Sequence, residues 1–203
     1  MIVRPRHLLY TLVLASAMAL PAVADPLDEG LEAYRAKDFA KAVALWRPLA
    51  DKGDPVAEYR IGTLYAEGRG VEQNDETALM WFLRAAKKGE PSAQYDVGAS
   101  YMGGNGAKKD EAEAAKWFLR AANQGMVYAQ FNIGLLYASG TGVQQDNIEA
   151  FKWLELALFA LPAGGPRSDV SKAIVDVAAK MNSEDIAEAK SRERKFKAQP
   201  ELK

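Results

Sequence analysis

The sequence predicts an all-α solenoid of stacked helix hairpins. Three observations predict it: a repeat of fixed length, a glycine pair between two helical patterns in each copy, and apolar residues spaced for helix faces. Trp81, Trp117 and Trp153 lie 36 residues apart. Gly62, Gly98 and Gly134 keep that interval, as do Tyr65, Tyr101 and Tyr137, and Ala57, Ala93 and Ala129. Gly53, Gly89 and Gly125 mark the junctions. A fixed period of about 20–50 residues marks an architecture in which each unit buries its apolar face only against its neighbours.

The first segment, residues 1–24, reads as a cleaved secretory signal. Arg4 and Arg6 precede an apolar run from Leu8 to Leu20, and Pro21 then leads to Ala22-Val23-Ala24, a small-x-small cleavage pattern. An apolar run of about 13 residues is short for a membrane span of about 20. No Cys follows it, so lipid attachment at a thiol is not expected. Removing 24 of the 203 residues leaves 179, enough for one domain with its own core.

Residues 25–53 read as a degenerate N-terminal unit carrying Gly30, Tyr34, Phe39, Ala42, Trp46, Ala50 and Gly53 but no Gly-x-Gly. A terminal unit covers an open end of the stack and is expected to be atypical. Three full units follow over 54–89, 90–125 and 126–160. In the first, Asp54 and Pro55 suit the start of helix A. Ala57, Ile61, Leu64 and Tyr65 share one face, and Gly68 and Gly70 end the helix. Helix B starts near Asn74, with Asp110 and Asp146 as its counterparts, and Asp110-x-x-Glu113 and Asp146-x-x-Glu149 resemble capping boxes. Ala78, Trp81, Phe82, Ala85 and Ala86 form its buried stripe. Residues 168–203 read as C-terminal capping helices and a tail. A short helix near 170–180 packs on the third repeat, Ser183 caps a last helix, and the charged run SRERKFK and the residues after it face water.

The loops EGRGV (67–71), GGNGA (103–107) and SGTGV (139–143) look like phosphate-binding turns. A dinucleotide loop needs a preceding strand and a Walker loop needs Gly-Lys-Ser/Thr, and neither context occurs in any copy. The loops therefore join helix A to helix B. The glycines inside helix A are costlier to explain, since each loses about 1 kcal/mol relative to Ala. A missing Cβ admits a bulky neighbour, and the repeated tryptophan is the expected one.

Composition narrows the chemistry. The only His is His7, inside the signal, and there is no Cys. The mature chain thus lacks imidazole and thiolate for zinc and the partners of Ser-His-Asp or Cys-His catalysis. With Arg4 and Arg6 gone it holds 24 basic and 27 acidic residues, no excess with which to neutralise nucleic-acid phosphates. No catalytic, cofactor-binding or metal-binding residue is assigned.

These residues resemble the Sel1-like repeat family, a relative of the tetratricopeptide repeats. The segment AEYRIGTLYAEGRGVEQNDETALMWFLRAAKKG (57–89) follows the family pattern nearly throughout, and 93–125 does so with Ala107 in place of Val. Residues 129–157 follow it until the closing Ala-Ala-x-x-Gly is lost. The positions that carry the resemblance are Gly62, Tyr65, Trp81, Gly98, Tyr101, Trp117, Gly134, Tyr137 and Trp153. The resemblance implies a right-handed αα-superhelix and a non-catalytic scaffold that binds another protein, with helix A lining the concave face. Together with the signal it gives an exported bacterial protein of the periplasm, secretion beyond the envelope being left open, with no membrane anchor after cleavage and no nucleic-acid partner.

On that face the positions left after the apolar ones form three rows: Glu58, Gln94 and Gln130; Arg60, Asp96 and Asn132; Thr63, Ala99 and Leu135. Of these, Glu58, Arg60, Thr63, Gln94, Asp96, Gln130 and Asn132 are the candidate partner-binding residues. Tyr59, Tyr95 and Phe131 form an aromatic row beside them, read mainly as inter-repeat core. The alternative is an enzyme acting on peptidoglycan or β-lactams, as some cysteine-rich relatives are associated with. This chain lacks their cysteines and the Ser-x-x-Lys set of serine β-lactam chemistry. It would rest on a carboxylate pair such as Glu58 with Asp96.

Overall fold

The structure, a computed structural model, describes residues 25–161 and 166–201. The signal expected at 1–24 lies outside them. Among the described residues ten helices follow one another and there is no strand. They are α1 Pro26–Arg35, α2 Phe39–Asp51, α3 Pro55–Glu67, α4 Asp75–Lys87, α5 Pro91–Gly103, α6 Glu111–Asn123, α7 Val127–Ser139, α8 Asn147–Ala160, α9 Pro166–Ala178 and α10 Ser183–Lys195. Each helix from α1 to α8 packs on the next in sequence, and α10 returns to α8. The result is an all-α helical repeat solenoid, capped at its C-terminal end by α9 and α10.

Local chemistry sets the hairpins. Asp54 caps α3 by accepting from the Ala57 amide at 2.8 Å, and Pro55 holds the first helical position. Gly68, Gly104 and Gly140 close α3, α5 and α7 in the left-handed conformation, with φ of 64°, 78° and 74°. Asn74, Asp110 and Asp146 cap the B helices through their side chains.

The capping boxes expected at Asp110 and Asp146 do not close. The amide such a box would engage is already donated to a helix-A carbonyl: Asp110 to Tyr101 at 2.9 Å and Asp146 to Tyr137 at 3.0 Å. Glu113 and Glu149 turn instead to Lys116 and Lys152. A reciprocal box opens α10, where Asn182, not Ser183, is the cap and Asp185 its partner.

The second glycine of each loop has a packing role. A Cβ on Gly106 would lie 2.2 Å from the Asp75 carbonyl oxygen, and one on Gly142 would lie 2.1 Å from that of Glu111. Each loop therefore rests on the first turn of the preceding unit's helix B.

Each cluster of the core bridges two neighbouring units. Trp81 packs with Ala57, Ile61 and Leu64 of its own helix A and with Trp46 and Ala50 of the unit before. Trp117 and Trp153 repeat the arrangement. The tryptophans do not fill the gaps in helix A, contrary to expectation. The following residue does: a Cβ on Gly62 would lie 2.6 Å from Phe82, on Gly98 2.8 Å from Phe118, and on Gly134 2.8 Å from Leu154. Successive helical residues point about 100° apart, so the tryptophan turns toward the preceding unit while Phe or Leu lies over the glycine. Only the first unit pairs glycine with indole, at Gly30 and Trp46.

The C-terminal chain is not wholly solvated. Ala189 of α10 is buried with Val170 and Val177 against α8. Arg192, within the charged run, donates to Glu149 at 2.8 Å. Beyond α10 the chain turns back along the repeats, with the Phe196 ring edge-on to Trp153 at 5.3 Å between centroids.

Candidate functional site

Two of the three helix-A rows meet at open cavities. A cavity of about 500 Å³ between α3 and α5 is lined by Tyr59, Thr63, Asp96 and Ala99, among others, and floored by Ala78 and Phe82 of α4. A second, of about 350 Å³ between α5 and α7, is lined by Ala99, Met102, Phe118, Asn132, Leu135 and Leu136. Ala99 borders both. Residues three apart on a helix share a face, so Asp96 with Ala99 and Asn132 with Leu135 present one surface from successive A helices.

The two cavities differ in chemistry. The first carries Glu67, Asp75 and Asp96 and no basic residue. Burial pushes the Asp96 carboxyl up to about 6; the Tyr59 hydroxyl opposes the rise, and Glu90 and Glu67 add to it. Burial likewise raises Tyr59, with Asp96 contributing. The second cavity is mostly apolar, and Leu135 is exposed there. Arg60 borders neither; its guanidinium lies 5.9 Å from the ring centroids of Trp46 and of Tyr59. Tyr59 and Tyr95 pack on Phe82 and Phe118 at centroid distances of 5.7 and 5.5 Å.

The remaining row, Glu58, Gln94 and Gln130, is buried, at 0, 0 and 4 % exposure. Its reading as a solvent-facing row is corrected. The signal was present in the sequence: 58 and 62, 94 and 98, and 130 and 134 are i, i+4 pairs with the gap-making glycines, hence on the buried face. These side chains tie unit to unit. Glu58 accepts from Arg84 Nε at 2.9 Å and Lys88 Nζ at 2.8 Å. Arg84 and Lys88 also donate to the carbonyls of Ala50 and Gly53 in the preceding unit. Gln94 and Gln130 donate to the carbonyls of Ala86 and Ala122. Glu58 and Asp96 therefore do not form a carboxylate pair in one cleft: Glu58 is committed to Arg84 and Lys88, and only Asp96 borders the cavity.

Among the described residues no group of three or more His, Cys, Asp or Glu side chains is placed to hold a metal ion, and no helix is long and apolar enough to cross a membrane.

The Sel1 repeat family model matches residues 27–54, 55–90, 91–126 and 127–158. Among solved structures, a Sel1 repeat protein from Oxalobacter formigenes is similar at 30 % identity and a TM-score of 0.64, over 81 % of this chain and 73 % of that one. A protective antigen of uropathogenic Escherichia coli strains that displays an SLR fold shares that fold at 24 % identity and a TM-score of 0.56. The alignment covers 84 % of this chain and 44 % of the antigen. Among curated proteins none matches.

Proposed function

This chain belongs to the Sel1 repeat family, and from that premise we propose that it is a non-catalytic scaffold of the bacterial cell envelope that binds a partner protein along its A helices. Sel1 repeat proteins are generally protein-interaction scaffolds. The observation that carries the choice of face is the pair of cavities joined at Ala99 and bordered by Thr63, Asp96, Asn132 and Leu135. Positions 63, 99 and 135 hold Thr, Ala and Leu in turn, while the residues beneath keep to the repeat. A surface that varies over a constant frame suits an irregular peptide.

The chemistry describes the peptide. The acidic cavity favours a basic or hydrogen-bond-donating side chain beside Asp96. The apolar one favours an aliphatic or aromatic side chain beside Leu135 and Met102. The envelope assignment, with the periplasm as the compartment, is supported by the signal-like residues 1–24.

In-cell crosslinking from a photoreactive residue at position 63, 99 or 135, followed by mass spectrometry, tests the reading. Crosslinks to one partner from these sites, and few from the helix-B surface at Met80, are expected. The reverse pattern overturns the choice of face. A fusion of residues 1–24 to a reporter that folds only after export tests the compartment, and a cytoplasmic reporter refutes it.

A further inference from the structure

The segment Phe196–Glu201 lies across the stack as an extended strap. Phe196 meets Trp153 of α8, and Ala198 sits over Gly125, where an added Cβ would lie 3.2 Å from it. The Gln199 amide donates to the Asn123 carbonyl at 2.9 Å, and the Glu201 amide to Gln124 Oε1 at 2.8 Å. The Glu201 carboxylate accepts from Arg120 Nη2 at 2.6 Å and Nε at 3.4 Å, and from Gln94 Nε2 at 2.9 Å. The strap thus runs from Trp153 past the turn at Gly125 to the turn at Gly89.

The repeat explains why a carboxylate belongs there. Arg120, Gln124, Gln94 and Gly89 stand 36 residues after Arg84, Lys88, Glu58 and Gly53. In the earlier unit Arg84 stacks on Trp81 at 4.3 Å and bonds the carboxylate of Glu58, from helix A itself. In the later unit Arg120 stacks on Trp117 at 4.7 Å, but the helix-A residue is the neutral Gln94. The carboxylate that unit lacks arrives from outside the repeats. Gln94 is fully buried and aims an amide donor at it. Arg120 holds Glu201 below the usual carboxylate range against the opposing effect of burial. A cavity of about 460 Å³ continues past Glu201, bordered by Gly53, Pro55, Lys87 and Lys88.

We propose that Gln94 and Arg120 form a carboxylate-binding site, with Gln124 holding the ligand's main chain beside it, in a groove along the turns from helix B to helix A, that it takes an extended acidic segment of a partner protein, and that the chain's own Phe196–Glu201 is the ligand that competes for it. The partner segment places an aromatic side chain five residues ahead of a carboxylate, as Phe196 precedes Glu201, and the lysines beyond favour further acidic residues. This groove shares no lining residue with the two helix-A cavities, so it stands or falls apart from them.

The test uses the full chain carrying Phe196→Ala and Glu201→Gln, which frees the groove, and a fluorescein-labelled peptide of residues 195–201 read by anisotropy. The peptide is expected to bind the double variant at least about tenfold more tightly than the unaltered chain, and a Glu201→Gln peptide about tenfold more weakly than its parent. Arg120→Gln, or Arg120→Met should the first fail to fold, added to the double variant should abolish the difference between peptides. In the unaltered chain, Arg120→Gln should accelerate hydrogen exchange at the Gln199 and Glu201 amides by at least about tenfold. Equal binding of both peptides, or no binding by a double variant whose melting curve is unchanged, overturns the proposal. Light scattering that shows the unaltered chain dimerising through Phe196 and Glu201 also overturns it, by making a second copy the occupant.

Discussion

Replacing Gly98 with Ala should destabilise the protein although alanine is the better helix former. The new Cβ would lie 2.8, 2.9 and 3.1 Å from Cδ1, Cε1 and Cγ of Phe118, and the first two are closer than real Cβ contacts come. Phe118 cannot easily yield, being 2 % exposed and held by Tyr95 at a centroid distance of 5.5 Å. Overpacking of this kind costs about 1–3 kcal/mol, and the gain in helix propensity returns about 1 kcal/mol. The net expectation is a loss of about 1 kcal/mol, or about 2–4 °C in Tm for a chain of this size. Urea unfolding measures it, with the denaturant slope unchanged. The cause is isolated by a double-mutant cycle. In a Phe118→Ala background the clash is gone, and Gly98→Ala should become stabilising by up to about 1 kcal/mol. In a Trp117→Phe background it should remain destabilising. A cycle in which Trp117 rather than Phe118 reverses the sign would refute the assignment of the gap to Phe118.

Three further outcomes are expected. Asp96→Asn should stabilise the protein at neutral pH. The folded-state pKa is raised from 3.8 to about 6, so the native carboxyl holds its proton more tightly than the unfolded one. Its contribution is full below pH 3.8 and lost as pH rises through about 6; at about 1.4 kcal/mol per unit the Asn variant gains up to about 3 kcal/mol at pH 7.5 and nothing at pH 3.5. Thermal melts across that range should show the two proteins converge on acidification, and a constant gap would contradict the linkage. Glu58→Ala should cost about 2 kcal/mol, less than the ~3–5 of a fully buried pair because Arg84 and Lys88 are about 40 % exposed and regain water; a neutral result in urea unfolding would remove Glu58 as a tie between units. Gly106→Ala should cost more than Gly104→Ala. Both residues have positive φ, which costs alanine about 1–2 kcal/mol, but only at Gly106 does the added carbon meet backbone, at 2.2 Å against 3.6 Å to the nearest atom at Gly104. Equal melting temperatures would show that the second glycine serves conformation alone.

The hairpins were legible because their determinants are local. Asp54 and Pro55 at a helix start, Gly68 at its end and alanines at helical spacing act within a turn or two of chain. What fills a gap between helices depends on their relative rotation, and Trp81 and Phe82 are equally apolar neighbours that face different units. Polarity alone suggests an open face for Glu58, Gln94 and Gln130, but their helical phase does not. The phase relation to Gly62, Gly98 and Gly134 places all three on the buried side, where the following helix satisfies Glu58 and the preceding helices satisfy Gln94 and Gln130. The row of Asp96 and Asn132 and the row of Thr63, Ala99 and Leu135 instead border the open cavities between successive A helices. The strap had no signal in the sequence. Phe196–Glu201 follows no period, and its partners Arg120 and Gln94 lie 81 and 107 residues away.

The main-chain contact at Gly106 and Gly142 has a consequence for how such a protein diversifies. Main chain meeting main chain fixes the step from one hairpin to the next before any side chain is chosen. Exchange of the outward residues can then redraw the surface without bending the rod on which it is displayed. Duplication of one 36-residue module would lengthen the molecule by a single identical increment, provided the new copy keeps its second loop glycine. Loss of that glycine would be felt one module upstream, in the first turn of a helix whose own sequence had not changed.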